Sequence, residues 1–597
     1  MLPMETSRPA PNPSTLTLRQ GLSLNGKWCY IVDLLDTGYY DYRRVPLDES
    51  TRPETRLAGF FLDYSPSDES ERVEYRFDEA LTLWVPGDWN SQQEKLFYYE
   101  GSVWYCRRFE YRKSAPEKRA FLHFGGVNYR ADVYLNGRKL GFHVGGFTPF
   151  CFEVTDVIRE GRNSLVVRAN NTRAPENVPT LNSDWWNYGG ITRDVSLVET
   201  PSAFIEDFTL QLKPTDPETL VFSARVNGPA VQPDVSLRIP EAGVDRKFPL
   251  DASGRLEASF RVKNLARWSP ETPKRYRVEI SFGDDRLEDD IGFRTLAVRG
   301  QDILLNGKPV FLRGVCIHEE SPLKGGRATT IEEARMVLGW ARELNCNFVR
   351  LAHYPHREDM VRAAEEMGLM VWSEIPVYWT IDWENPDTLQ NAVNQLSENI
   401  GRDKNRACVI IWSVANETPP GEARNRFLSI LARKARELDS SRLVSAALEK
   451  RYAQEDPELA MMEDPFAAEC DVVSFNEYIG WYDGLPEKCD RVKWNIPYDK
   501  PVVVSEFGGD ALEGLHGAPS ARWTEEFQKD LYERTLAMLK KIPQLRGLTP
   551  WILADFRSPK RLLPHIQDGW NRKGLVSEKG RRKAAFAALR AFYASLA

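Results

Sequence analysis

The sequence of 597 residues contains no apolar run near the ~18 residues that span a bilayer, so no membrane partner is expected. It also lacks an excess of positive charge. Its 79 Lys and Arg stand against 86 Asp and Glu, a net −7 that offers no attractive field to nucleic acid. Cysteine is sparse: eight residues, at 29, 106, 151, 316, 346, 408, 470 and 489, never in C-x-x-C spacing. That argues against a structural zinc site or a thioredoxin-like pair. Most, such as Cys408 in Ala-Cys-Val-Ile-Ile, read as small buried hydrophobes. A disulfide framework is not expected at this length, although one bridge stays open. The start, Met-Leu-Pro-Met-Glu-Thr-Ser-Arg-Pro, has no apolar h-region. A cytoplasmic location is therefore expected, unless a removed signal places the protein in the periplasm or outside the cell. No metal-ligand or cofactor motif is visible, so neither a metal nor a cofactor is expected.

What is present is the composition of a globular protein, 42 % hydrophobic and 28 % charged, at a length that calls for several domains. Seventeen tryptophans are more than packing alone suggests, and flat faces in that number suit a protein that stacks on rings. Residues 1–200 read as β. Alternating runs at 130–135 and 164–169 are separated by turn signals, and Asn136-Gly137 is a strong two-residue hairpin turn. Helical periodicity is nearly absent, so a β-sandwich is the economical reading. A second β segment, 201–297, alternates cleanly at 236–239 and 276–280 and suits an immunoglobulin-like sandwich.

Near Ala297 the character changes. Apolar strands at 310–312, 348–351, 370–372, 409–412, 443–445, 472–474, 502–504 and 547–553 alternate with helical stretches such as 331–344 and 424–438. Eight strands over 298–597 predict a (β/α)8 TIM barrel. An open doubly wound sheet would show a Gly-rich phosphate loop after its first strand, and Gly325-Gly326 is not that pattern.

A barrel's active site lies at the C-terminal ends of its strands. The polar residues there are His318, Glu319 and Glu320, then Arg350, His353 and His356, Glu374, Asn416-Glu417, Asn476-Glu477-Tyr478, Ser505-Glu506 and Trp551 with Asp555. Glu417 and Glu506 stand on strands four and seven, where their side chains can converge across the mouth. Paired carboxylates on an aromatic-rich scaffold point to glycoside hydrolysis, in which one holds a proton while the other stays charged. An isolated acid after a strand is as a rule a loop or salt-bridge residue. It is the Asn416-Glu417 pair together with Glu506 that favours chemistry.

The run from Asp403 to Glu417, Asp-Lys-Asn-Arg-Ala-Cys-Val-Ile-Ile-Trp-Ser-Val-Ala-Asn-Glu, closely resembles the acid/base signature of glycoside hydrolase family 2. Phe124-Gly125-Gly126-Val127, Val133–Gly137 and Gly189–Arg193 are similar to N-terminal motifs of the same family. The resemblance covers the whole chain. It implies a jelly-roll sandwich, an immunoglobulin-like sandwich and a catalytic barrel, in that order. It makes Glu417 the general acid/base and Glu506 the nucleophile of a retaining, two-step mechanism with a covalent glycosyl-enzyme. Asn416 would hold the sugar 2-hydroxyl. Arg350 would lie beside Glu506 and keep it ionised, and His318 and His353 would bind or orient hydroxyls.

For the sugar, Asn571-Arg572-Lys573-Gly574 resembles the Asn-x-Lys motif with which β-glucuronidases grip the glycone carboxylate. An ammonium and an amide donor held together bind a carboxylate, whereas a neutral hydroxymethyl would leave the lysine unpaired. The other reading is a solvated basic loop. Tyr478 and Tyr482 resemble pocket tyrosines of that subgroup, Asp184 the aspartate lent by the jelly roll, and Trp551 the floor beneath the sugar. The stretches His318–Pro322 and 556–570 depart from the subgroup's pattern. A retaining exo-β-glucuronidase is thus expected, acting on a carbohydrate with neither nucleic acid nor membrane as partner; a homo-oligomer is compatible. A β-galactosidase or β-galacturonidase of the same family is the alternative, and a non-catalytic carbohydrate-binding protein a remote one. No long insertion follows strand one or two, so the leaving-group side is expected to be open.

Overall fold

The computed structural model describes residues 14–50, 56–66, 68, 70, 74–229 and 233–596. The first region is a sandwich of two antiparallel sheets. One has four strands in the order 21–23, 195–200, 119–124 and 150–153; the other has six, in the order 82–85, 26–33, 102–111, 161–170, 130–135 and 138–144. Their inner faces share one core, in which Trp28, Val103 and Val133 of the larger sheet pack with Phe124, Phe150 and Leu197 of the smaller. The turn at Asn136-Gly137 forms as its sequence predicts. Both residues have positive φ, 53° and 75°, between strands Arg130–Leu135 and Arg138–Val144.

The second region packs a three-stranded sheet (204–213, 216–227, 255–261) on a four-stranded one (244–249, 234–239, 275–282, 285–292). Alternation drives it: Phe208, Leu210 and Leu212 point inward against Leu237, Val278 and Ile280.

The third region is the barrel, closed by eight parallel strands. They are β1 in two pieces, Leu312–Arg313 and Cys316–Ile317, then β2 Phe348–Leu351, β3 Met370–Glu374 and β4 Val409–Asn416, followed by β5 Leu443–Glu449, β6 Val473–Asn476, β7 Val502–Glu506 and β8 Leu545–Leu548. β1 closes the ring by pairing Leu312 with Gly547 and Cys316 with Arg350. The expected first strand, 310–312, begins too early: pairing starts at Leu312 and runs through Gly314. A Cβ at Gly314 would sit 2.6 Å from Thr549 Cγ2 and 2.9 Å from the Leu548 carbonyl, so β1 can approach β8 this closely only through glycine. The expected last strand, 547–553, ends sooner, at Leu548, and 549–553 leave the sheet as loop at the mouth.

The helices are α1 Ile331–Glu343, α2 Glu358–Met367, α3 Pro386–Asp403, α4 Glu422–Leu438, α5 Glu525–Leu539 and α6 Ala584–Ala594. A full (β/α)8 pattern fails at two places. After β5 and β6 the chain forms no α-helix, only the 3₁₀ turns Pro465–Ala468 and Pro486–Asp490 and a small sheet of strands 451–452, 459–461 and 493–495. Pro457 and Pro465 in one connection, and Gly480, Gly484, Pro486 and Pro497 in the other, deny a helix its amide donors and its propensity.

The first half of the Asp403–Glu417 signature docks domains. Lys404 meets Asp207 at 2.6 Å, Asn405 Oδ1 accepts the Leu210 amide at 2.9 Å, and Arg406 pairs with Asp289 and Glu365. On the other side Arg193 meets Glu319 at 3.1 Å, and the Trp186 amide donates to the Arg557 carbonyl at 3.1 Å. These bonds carry Asp184 and Trp185 of the sandwich to the barrel mouth. A cleft of ≈ 1170 Å³ where the three regions meet, lined by His123, Arg193, Asp207, Arg357 and Lys404 among others, includes none of the expected site residues.

Candidate active site

β7 ends in Glu506, which is 3 % exposed. Arg350, on β2 and fully buried, donates to Glu506 Oε1 at 2.7 Å, to Glu374 on both oxygens at 3.0 and 3.1 Å, and to Asn416 Oδ1 at 2.7 Å. A buried guanidinium is tolerable only when paired in this way. Burial raises Glu374, but the Arg350 guanidinium and His353 outweigh it and hold the carboxyl at about 2. Glu506 ends differently. Burial pushes it up, Arg350 opposes, the nearby Glu417 carboxylate adds to the rise, and the balance stays above the ordinary glutamate value. Arg350 thus sits where the sequence reading expects it, yet it does not overcome desolvation. Tyr478 completes the shell, donating its hydroxyl to Glu506 Oε2 at 2.7 Å. Burial raises that phenol well above its usual range, so it keeps its proton.

Glu417 follows β4 directly, in a left-handed conformation with φ 48°. The Asn476 amide, at the end of β6, donates to its Oε1 at 3.0 Å, and the Trp379 indole N–H donates to its Oε2 at 2.8 Å. Arg350 and Asn476 both reach Asn416 Oδ1. Glu506, Arg350, Asn416, Asn476 and Glu417 are therefore links of one hydrogen-bond chain. Asn416 Nδ2 is buried without a hydrogen-bond partner among the described residues, an unmet donor beside the two glutamates.

His353 Nδ1 lies 2.8 Å from Glu374 Oε1, and its Nε2 is 3.7 Å from Glu506 Oε1. Its ring stacks on Trp551 at 4.7 Å, so one face of that 4 % exposed tryptophan is already covered. His318 Nδ1 meets the Tyr354 hydroxyl at 3.1 Å, and its Nε2 is buried and unpaired. Burial drives His318 well below the usual imidazole value, leaving it neutral. Trp185 packs against both histidines and Tyr378, so the first region supplies part of the aromatic wall.

Asn571 and Lys573 are 0 % and 1 % exposed, which disposes of the solvated-loop reading. Lys573 Nζ lies 2.6 Å from Asp510 Oδ1 and donates to the Tyr482 hydroxyl at 2.9 Å. Burial lowers the lysine, but Asp510 and Tyr482 more than compensate, so it is charged. The same ammonium is 5.9 Å from the Tyr478 ring. Asn571 Nδ2 donates to Asp184 at 3.3 Å. Asp184 also accepts Ser558 and a forked ion pair from Arg561, so the aspartate expected to face sugar is already engaged.

The residues given site roles from the sequence thus meet round one mouth, whereas the strand-end acids Glu319 and Asp555 pair elsewhere, with Arg193 and Lys583. Asn476 and Glu374, named there only as strand-end polar groups, turn out to be the partner of Glu417 and the counter-charge of Arg350. Asp510, Arg561 and Trp379 were not singled out; Asp510 follows β7 in Gly508-Gly509-Asp510, within reach of the strand-end rule. Trp379 and Arg561 sit in loops that carry no periodic signal.

Profiles for three parts of one family match nearly the whole chain: "Glycosyl hydrolases family 2, sugar binding domain" over 55–201, "Glycosyl hydrolases family 2" over 203–294, and "Glycosyl hydrolases family 2, TIM barrel domain" over 296–597. The chain is similar to a β-glucuronidase of Paenibacillus borealis, 28% identical over 608 residues that cover 91% of this chain and 97% of that one. Its fold is similar to that of a β-glucuronidase from an uncultured Clostridium sp. (TM-score 0.79, 26% identity, 99% and 100% covered). It is also similar to that of a β-galacturonidase from Eisenbergiella tayi (TM-score 0.79, 24% identity, 98% of each chain). The chain belongs to glycosyl hydrolases family 2 and is a glycoside hydrolase.

Proposed function

We propose that this family 2 glycosidase is a retaining exo-β-glucuronidase that releases terminal β-D-glucuronic acid. One observation carries the reading. Lys573 and Asn571 are held buried in a single cluster with Tyr482, and Lys573 lies 5.9 Å from the ring of Tyr478, whose hydroxyl is 2.7 Å from Glu506. A buried ammonium with an amide beside it, one tyrosine away from the nucleophile, suits a glycone with an anion at C6.

In the first step the ionised Glu506 attacks the anomeric carbon while Glu417 gives its proton to the glycosidic oxygen, and the C1–O bond breaks. In the second, Glu417 takes a proton from water, water attacks C1 from the opposite side, and Glu506 leaves as carboxylate. Asn416 Nδ2 is the donor for the 2-hydroxyl and His318 Nε2 a further hydroxyl ligand; both are buried and unpaired. The Arg350 guanidinium and the Tyr478 hydroxyl hold the charge on Glu506.

A β-galactosidase is the second reading, favoured by a specific observation: the Lys573 ammonium already has a carboxylate, Asp510, at 2.6 Å. Against it, an ammonium has three donors, and among the described residues only Asp510 and Tyr482 occupy them. Initial rates on 4-nitrophenyl β-D-glucuronide, galacturonide and galactoside decide between them. The glucuronide is expected to exceed the galactoside by at least about 100-fold. Equal rates would overturn the assignment. Proton NMR of the first-formed sugar tests retention: the β-anomer is expected, and an α-anomer excludes the two-step route.

A further inference from the structure

Beyond the glycone, the structure assigns a leaving-group seat to Trp379 and Lys560: the indole positions Glu417 and offers its ring to the leaving group, whose anionic substituent Lys560 binds. The assignment rests on the glycosidase reading above and adds the class of aglycone.

Trp379 follows β3 and is half-buried. Its Nε1 is 2.8 Å from Glu417 Oε2, so the ring lies beside the group that must protonate the departing oxygen. It has φ 54°, a left-handed backbone that a bulky residue adopts only when its surroundings hold it there. Tyr378 packs against it at 4.5 Å. The ammonium of Lys560, in the long loop after β8, lies 4.1 Å from the ring centroid.

Lys560 differs from three other cations at this mouth. Lys573 has Asp510, Arg561 has Asp184 and Lys450 has Asp483. Among the described residues Lys560 has no carboxylate within ion-pair distance, and its side chain is exposed. An ammonium above an indole is held by the ring quadrupole, a weak contact at an exposed site that it can exchange for an anion. The charge around it also gives the leaving group an orientation. Glu449, exposed at the end of β5, is near enough to feel the Glu417 carboxylate, so a second carboxylate stands on that side of the mouth. An anionic leaving group meets repulsion there and attraction at the Lys560 ammonium. The ligand chemistry is a ring, sugar or aromatic, bearing a carboxylate or a sulfo group.

The test is a matched leaving-group series: 4-carbamoylphenyl, 4-carboxyphenyl and 4-sulfophenyl β-D-glucuronides, with wild type, Lys560→Met and Trp379→Phe. Lys560→Met is expected to reduce the preference for the charged over the neutral aglycone, in kcat/KM, by about fivefold, the upper end for an exposed ion pair. In the wild type that preference is expected to fall as salt is added. The carboxy and sulfo arms tell which anion is favoured. An unchanged preference in Lys560→Met overturns the anion site. Trp379→Phe keeps a ring but loses the N–H that holds Glu417 Oε2. With the acid misplaced, kcat/KM is expected to fall more for the poorer 4-carbamoylphenyl leaving group than for 4-nitrophenyl; an equal fall overturns the positioning role. Lys560 is exposed, so its variant folds whatever becomes of Trp379→Phe. A wild type that prefers galactosides would overturn the proposed glycone alone, and the same aglycone series is then run on galactosides.

Discussion

The two sides of this barrel mouth are built on different physics. On the side proposed for the glycone the charges are buried and shared: Arg350 with Glu374, Glu506 and Asn416, Lys573 with Asp510 and Tyr482, and Arg561 with Asp184. On the side proposed for the leaving group Lys560 rests on an indole and Glu449 stands exposed. A buried charge must be matched or the fold loses several kcal/mol, so each glycone-side residue fixes its neighbours. An exposed charge has no such obligation. The first side can be built for one sugar, and the second can vary at little cost in stability.

The largest expected effect breaks that contrast at its centre. Arg350→Met would strand Glu374 and Glu506 without their counter-charge and is expected to cost about 3–5 kcal/mol, with loss of activity. Lys560→Met on the other side is expected to stay within about 0.5 kcal/mol of wild type. Denaturant melts of both variants measure this, and comparable losses would erase the distinction. Next in size is the double variant Lys573→Met with Asp510→Asn, which removes a cation without leaving a lone buried carboxylate. Its kcat/KM on the glucuronide is expected to fall at least about 100-fold relative to the galactoside. A preference that survives would move carboxylate recognition from Lys573 to Arg561.

The same contrast explains what could be read from the sequence. Glu417 and Glu506 were legible because each ends a run of buried apolar residues, Val409–Asn416 and Val502–Glu506, where the barrel must place its polar groups. The sandwich strands were legible through period-two alternation and the Asn136-Gly137 turn. The missing fifth and sixth helices were not anticipated, although Pro465 and Pro486 marked the breaks. Pairings were the least legible. Asp510 against Lys573 and Arg561 against Asp184 join residues 63 and 377 positions apart, contacts that depend on how loops from β7, β8 and the sandwich converge. Trp379 was silent for a related reason: a single tryptophan in a loop reads as packing until its N–H is seen to meet Glu417.

The smallest expected effect gives the finest discrimination between the sides. Tyr478 on the glycone side and Trp379 on the other each donate one neutral hydrogen bond to a carboxylate, Glu506 at 2.7 Å and Glu417 at 2.8 Å. Loss of the Tyr478 hydroxyl removes a donor that opposes burial at Glu506, so that carboxyl moves further above the ordinary value. In the proposed mechanism Glu506 attacks as the carboxylate, so in Tyr478→Phe the acid limb of kcat/KM is expected to rise in pH, narrowing the active range from below. Trp379→Phe instead leaves Glu417 without the hydrogen bond that holds its Oε2, and it is expected to slow poor leaving groups more than 4-nitrophenyl. The plateau rate is expected to fall by about tenfold or less in each, well short of losing a general acid. A Tyr478→Phe variant that discriminated between leaving groups, or a Trp379→Phe variant that moved the acid limb, would mean that the two glutamates are not held separately. The division between a glycone side and a leaving-group side would then hold for packing but not for the chemistry.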